Sequence, residues 1–253
     1  MKIFIISGNK KPIIEKKGYE LLQVGADINT DVNISKVKDN KGDNISKKNR
    51  NYCELTGLYW IWKNSKEKII GLVHYRRFFY KKVFFKNEEV IDEKDVKEIL
   101  KDYDIILPTM GHTYMTVYDQ YNKYHDIEDL LLCGKIIKKK YPEYYDEFEK
   151  LLKQKKYYPF NMFVAKKELI DEYCEWLFDI LFESEKTIGK TLDKKDKYNK
   201  RVYGFLSERL FNVWINTKKL KVKELPVYNV ERKKAKEISI EIAKHALNVV
   251  RKK

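Results

Sequence analysis

The chain reads as an α/β protein built on a mixed, largely parallel sheet flanked by helices. Three observations predict this. Short β-branched runs such as Ile3 to Ile6 alternate with longer segments of helical spacing. The 253 residues suffice for one large domain with a sizeable core. An apolar share of 43%, with only five prolines and ten glycines, excludes a disordered, collagen-like or linker-rich chain.

Each element follows from its own pattern. Lys2-Ile3-Phe4-Ile5-Ile6 is a buried first strand that delivers the loop Ser7-Gly8-Asn9. Residues 10–50, rich in Asn, Asp and Lys, read as loop and irregular structure. Asn51 caps a helix and Glu54, three residues on, reaches back to it. Leu55, Leu58, Tyr59 and Trp62 form that helix's apolar face. Ile69 to Phe79 is a second strand, Asp92 to Lys101 a short helix, and Asp104 to Pro108 a third strand stopped by its proline. From Tyr114 to Leu152 the spacing is helical, interrupted at Pro142. Phe160 to Ala165 is a strand, and Lys167 to Phe182 a helix carrying Leu169, Tyr173, Trp176 and Ile180 on one face. A charged loop spans Glu183 to Lys200, a helix Val202 to Ile215, and a last strand Lys221 to Tyr228. The segment 233–253 reads as a basic amphipathic helix with Ile240, Ala243, Leu247 and Val250 in register. Ligands of open α/β sheets sit beyond the carboxyl ends of the strands. The crevice is therefore expected after Ile6, Val73, Leu107 and Val164.

Lysine and arginine number 53 against 38 acidic residues, a net charge of +15. That balance favours phosphate-bearing partners or an anionic membrane face, although solvated lysine surfaces give the same excess. Only seven of the 53 are arginine, so each guanidinium is informative. Cys53, Cys133 and Cys174 are odd in number and far apart. They exclude a disulfide framework and a CxxC zinc site, and a reducing cytoplasm suits them. No run approaches the ~20 apolar residues a spanning helix needs, and Ile3 to Ile6 is too short for a signal-peptide core. GxxxxGKS and GxGxxG are both missing, which sets aside the P-loop and dinucleotide readings.

Three constellations carry chemistry. In Gly71 to Phe79, His74 precedes the adjacent Arg76 and Arg77 at the end of an apolar strand. A guanidinium there grips a diphosphate with two parallel hydrogen bonds, which lysine cannot reproduce. The competing reading is a structural arginine paired with a buried carboxylate. Tyr114, Tyr118, Tyr121 and His125 share one face of a continuous helix, suited either to sugar rings or to a helix–helix seam. Glu208 stands on an apolar helix between Arg201 and Arg209. Apolar surroundings raise a carboxyl pKa and suit it to general-base work, while pairing with either arginine suits it to structure. Asp102-Tyr103-Asp104 spells DxD but precedes its strand, so it reads as a turn rather than a metal site, and no other metal cluster appears.

Gln23 to Ala26, Gly42 to Ser46, the block Asn51 to Asn64 and the HYRR core of Gly71 to Phe79 resemble a bacterial capsule and exopolysaccharide glycosyltransferase family. That family was long catalogued as a domain of unknown function. Thr116 to His125, Asn161 to Phe163 and Ser207 to Leu210 are similar to its later blocks. The resemblance covers residues 1–230 as a glycosyltransferase domain and leaves 231–253 as a basic, membrane-docking candidate. It implies a GT-A-like (Rossmann-like) fold. It also implies transfer of a hexose, galactose or galactofuranose, from a UDP-sugar to a lipid-linked oligosaccharide in capsule, exopolysaccharide or lipopolysaccharide synthesis. Asn51, Glu54, Thr56 and His74 would bind the donor, with Arg76 and Arg77 on its diphosphate. Glu208 would be the catalytic base, and Tyr118, Tyr121 and His125 would bind the acceptor. No cofactor is required by these residues, and a divalent Mn or Mg is admitted rather than demanded. The expected setting is the cytoplasm, peripheral to the inner membrane face. The rival reading is a non-catalytic, basic nucleic-acid-binding protein, but no nucleic-acid motif appears.

Overall fold

Alternation along the central strands decides the architecture. On the first strand, Phe4 and Ile6 join one buried cluster while Ile3 and Ile5 join another. Ile105 and Leu107 likewise face away from Ile106, and Phe163 and Ala165 away from Val164. Strands apolar on both faces belong inside a three-layer α/β protein, with a core on each side of the sheet. The computed structural model describes residues 1–12, 14–83 and 86–231, and the expected tail helix over 233–253 lies outside them.

In chain order the strands are β1 (Lys2–Ser7), β2 (Tyr19–Gln23), β3 (Val37–Lys38), β4 (Ile69–His74), β5 (Arg77–Val83), β6 (Lys86–Val90), β7 (Ile105–Pro108), β8 (Gly111–His112), β9 (Lys156–Tyr157), β10 (Phe163–Lys166), β11 (Val222–Leu225) and β12 (Val227–Asn229). The helices are α1 (Asn49–Tyr52), α2 (Leu55–Asn64), α3 (Glu93–Asp102), α4 (Val117–Tyr124), α5 (Ile127–Lys140), α6 (Tyr145–Lys153), α7 (Lys167–Ile188) and α8 (Val202–Lys218). The main sheet runs β11-β7-β10-β4-β1-β2-β3. β1 pairs in parallel with β2 and β4, and β11 with β7, while β10 lies antiparallel between β4 and β7. β5, β6 and β12 extend β4 as antiparallel partners. This is the expected mixed, largely parallel sheet flanked by helices. Gly71 sits at its centre, where a Cβ would lie 2.9 Å from Val164 Cγ2 and 3.0 Å from Ile3 Cγ1.

Several expectations need correction. Residues 10–50 hold β2 and β3, whose apolar stretches are only a few residues long. The helix expected from Asn51 is two helices, broken at Cys53, whose φ is +52°. Glu54 therefore makes no capping box with Asn51. The strand expected over 69–79 is a hairpin, with Tyr75 and Arg76 as its turn. The helical run from Tyr114 starts only at Val117 and stops at His125, because Thr116 and Asp126 each cap a new helix with their side chains. Tyr114 is fully exposed in the preceding loop. α7 runs on to Ile188, and two 3-10 turns, Gly189–Lys194 and Asn199–Arg201, fill the expected charged loop. Pro226 divides the last strand in two.

Candidate functional site

The direction of β10 moves one wall of the site. Because β10 is antiparallel to β4, its start rather than its end lies at the carboxyl edge of β1 and β4. Phe160 and Asn161 therefore reach the crevice, and the residues after Val164 do not. Opposite them, the β4–β5 hairpin folds back so that His74 pairs with Arg77 in register. The turn is anchored by Tyr75 N–H donating to Ile6 C=O at 3.2 Å and Val230 N–H donating to Arg76 C=O at 2.9 Å. Arg77 lays its guanidinium 4.4 Å from the centre of the Phe160 ring. Phe160 holds a φ of +65°, a backbone that an L-residue rarely adopts. Arg76 reaches Glu231 at 3.5 Å, and its buried Nε has no partner among the described residues.

The α1–α2 joint supplies the floor. Asn49 Nδ2 donates to Cys53 C=O at 2.7 Å and to Thr56 Oγ1 at 2.8 Å, and the Thr56 hydroxyl donates to the same carbonyl at 3.2 Å. These bonds hold the chain through the strained Cys53 and turn Glu54 toward the crevice. Asn161 Nδ2 donates to Glu54 Oε1 at 2.6 Å and to Gly204 C=O at 3.3 Å, leaving its own buried Oδ1 without a partner among the described residues. Arg201 Nε donates to Cys53 Sγ at 3.2 Å. Burial, helped by Glu54 and opposed by Arg201, pushes the Cys53 thiol up to about 11.

Helix α8 brings the second carboxylate. Phe205 and Glu208 stand one turn apart on α8, and Arg201 directly precedes the helix. Burial pushes the Glu208 carboxyl up to about 7, against the pull of Arg209, while Glu54 adds to the rise and Arg77 and Arg201 oppose it. Arg209 Nη1 donates to Glu208 Oε2 at 3.1 Å and to Phe205 C=O at 3.2 Å, and its Nη2 donates to Gln120 Oε1 at 3.0 Å. The same guanidinium packs on the Tyr121 and Tyr157 rings, 5.1 and 5.3 Å from their centres. Burial drives His74 toward its neutral form; Glu54 resists this, and Arg77, Arg76 and Arg201 assist it.

The family follows from the whole of this stretch: residues 2–219 match the model described as "Domain of unknown function (DUF4422)". The chain belongs to the DUF4422 family. This DUF4422 chain is also similar to a solved structure titled "WbbM bifunctional glycosytransferase apo structure". The identity is 32%, the TM-score 0.81, and the match covers 90% of this chain but 45% of that one. The DUF4422 chain thus spans less than half of that protein. The fold is accordingly GT-A-like. Comparison with curated proteins gives no match.

The DUF4422 site gathers His74, Arg76, Arg77, Glu54 and Glu208 from the residues nominated by sequence. Asn51 and Thr56 stand behind it. Asn51 Nδ2 holds Lys200 C=O at 2.8 Å, and Thr56 is buried in the joint. Tyr118, Tyr121 and His125 do not form one platform. Tyr118 is partly exposed, whereas Tyr121 is wholly buried beneath Arg209. His125 ends α4 and stacks on Phe205 at 4.1 Å. Sequence reasoning assigned no site role to Phe160, Gln120, Arg201 or Arg209. The scarcity of arginine was the available signal, since four of the seven converge here.

A DxD-held divalent cation does not fit these residues. Asp102 ends α3, and Asp104 Oδ2 accepts from Lys221 N–H at 2.8 Å, at the opposite edge of the sheet. Among the described residues no group of three or more His, Cys, Asp or Glu side chains is placed to hold a metal. Nor is any described helix long and apolar enough to cross a membrane.

Proposed function

We propose that this chain is a hexosyltransferase that moves galactose or galactofuranose from a UDP-sugar to a lipid-linked oligosaccharide. The observation that carries the reading is the meeting of Glu208 with Arg209 at 3.1 Å, Glu54, Arg77 and Arg201 at the carboxyl edge of a GT-A-like sheet, where burial raises the Glu208 carboxyl to about 7. A base poised near neutrality takes a proton at working pH, and the arginines offer charge to a departing diphosphate. The likeness to a bifunctional glycosyltransferase supports glycosyl transfer as the reaction class. The sugar, the lipid-linked acceptor and a role in capsule, exopolysaccharide or lipopolysaccharide synthesis rest on the family resemblance.

In this mechanism the acceptor hydroxyl oxygen attacks the anomeric carbon and its proton passes to Glu208. The bond from the anomeric carbon to the UDP oxygen breaks, and UDP leaves with the electron pair. Direct displacement inverts the anomeric centre. Arg76 and Arg77 stabilise the charge that develops on the diphosphate. Neutral His74 donates to or accepts from a donor hydroxyl, and Glu54, held by Asn161, orients the sugar. Arg209 fixes the Glu208 carboxylate through a bond that Gln120 and the two tyrosine rings keep in place.

Calorimetric titration with UDP, with and without manganese, tests the donor side. Binding that survives chelator and falls at least about tenfold in Arg76→Ala or Arg77→Ala is the expected result. Binding that requires manganese would reveal a carboxylate metal site outside the DxD, and absence of binding under both conditions would overturn the transferase reading.

A further inference from the structure

Beside Glu208 the surface carries an aromatic patch that the proposed reaction leaves without a role. Tyr198, in the loop ahead of α8, is half exposed. Its ring packs on Phe205 at 4.9 Å between centres, and His125 packs on Phe205 at 4.1 Å and on Tyr198 at 5.8 Å. Phe205 is only partly buried and stands one helical turn before Glu208, so the two side chains are neighbours on α8. Arg201 borders the patch, 5.5 Å from the Phe205 ring centre, with its Nε committed to Cys53.

His125 adds a directed polar atom. Its Nδ1 lies 2.8 Å from Asn199 Oδ1, and the orientation of that amide is fixed because Asn199 Nδ2 donates to Asp196 Oδ2 at 2.7 Å. Nδ1 must therefore be the donor. In the neutral ring that burial favours, Nε2 is the acceptor. His125 stacks face to face on Phe205, so the half-exposed Tyr198 offers the open aromatic face of the stack. That face, an acceptor nitrogen and a cationic edge match one chemistry: a pyranose or furanose ring that turns C–H bonds to the aromatic face and hydroxyls to the edge.

We propose that Tyr198, Phe205 and His125 form the subsite for the acceptor saccharide, placing its hydroxyl toward Glu208. The proposal rests on the transferase reading of Glu208. It also moves acceptor recognition away from the buried Tyr121, toward the loop that precedes α8.

Saturation-transfer NMR with methyl galactopyranoside, methyl galactofuranoside and methyl glucopyranoside tests it, with UDP affinity measured in parallel by calorimetry. Wild-type protein should transfer saturation to the ring protons of at least one glycoside. Tyr198→Ala should weaken that glycoside's binding about fivefold to tenfold, Tyr198→Phe should restore it, and UDP affinity should stay unchanged in both variants. Tyr198 is a half-exposed loop residue, so neither change threatens the fold. Glycoside binding that is absent, or indifferent to Tyr198→Ala, overturns the subsite. A parallel loss of UDP affinity in Tyr198→Ala overturns it too, by placing the ring on the donor side. Failure of wild-type protein to bind UDP overturns the transferase reading instead, and the glycoside titration is read independently of that outcome.

Discussion

Glu208 holds its proton to about 7 because burial outweighs the cation beside it, and Glu54 adds like charge. Only the carboxylate form accepts a proton, so activity should climb as pH rises through about 7 and level off above it. Glu54→Gln removes the neighbouring negative charge and should move that limb to lower pH. Arg209→Lys keeps the charge but loses the fork that Gln120 grips, so it should lower kcat more than it moves the limb. Initial rates of UDP release across pH check all three, and a limb unmoved by Glu54→Gln would count against the assignment. Glu208→Gln should cost roughly 10²–10⁴ in kcat. The same shift has a sign in stability. A carboxyl whose folded pKa exceeds its unfolded value near 4.5 contributes fully below that value, and the contribution is lost as pH rises through the folded pKa. Glu208→Gln should therefore gain on wild type between pH 4.5 and about 7, by on the order of 1–3 kcal/mol, in denaturant melts.

Strain at the scale of elements sits where α1 meets α2. Cys53 combines φ +52° with ψ −126°, a region that costs a non-glycine residue roughly 1–3 kcal/mol. The clamp from Asn49 and Thr56 stabilises that backbone, and the resulting bend aims Glu54 at Asn161. At an ordinary position glycine is less stable than alanine by ~0.5–1 kcal/mol. At Cys53 that order should reverse, with Cys53→Gly melting above Cys53→Ala, and the usual order would show the joint unstrained. The same joint marks the limit of what sequence patterns reveal. The apolar spacing from Leu55 to Trp62 made α2 legible, as the alternating runs made β1, β7 and the helices around them legible. Asn51 followed by Glu54 also fitted a helix start, and only tertiary bonds divert them: Asn51 to Lys200 C=O and Glu54 to Asn161. The HYRR stretch pointed to His74, Arg76 and Arg77 together, but periodicity cannot announce a two-residue turn at Tyr75 and Arg76 that carries no glycine or asparagine. Nor does a strand's composition state its direction, and the antiparallel course of β10 is what brings Phe160 and Asn161 to the site.

Charge is the property of the whole molecule that two functions could claim. The net +15 suits a polyanion as well as a nucleotide. Its distribution separates them. Several lysines are neutralised in exposed pairs along helices, such as Lys97 with Glu93, Lys101 with Glu98, Lys150 with Glu147 and Lys186 with Glu183. Such pairs contribute little and spread over the surface rather than converging on a groove. The arginines do the opposite: Arg76, Arg77, Arg201 and Arg209 act on one small site. A ligand held there meets a few fixed guanidiniums, partly shielded from salt by the protein around them. UDP affinity should therefore fall by no more than roughly tenfold between 50 and 200 mM salt, whereas a protein making 6–10 phosphate contacts along a nucleic acid loses about 10³–10⁵ over that range. Titrating UDP and a single-stranded oligonucleotide across this range separates the two uses. A shallow UDP slope beside weak, steeply salt-sensitive oligonucleotide binding assigns the function to the arginine cluster. Tight oligonucleotide binding that outlasts UDP binding as salt rises would assign it to the lysine surface and remove the reason for four of seven arginines to meet beside Glu208.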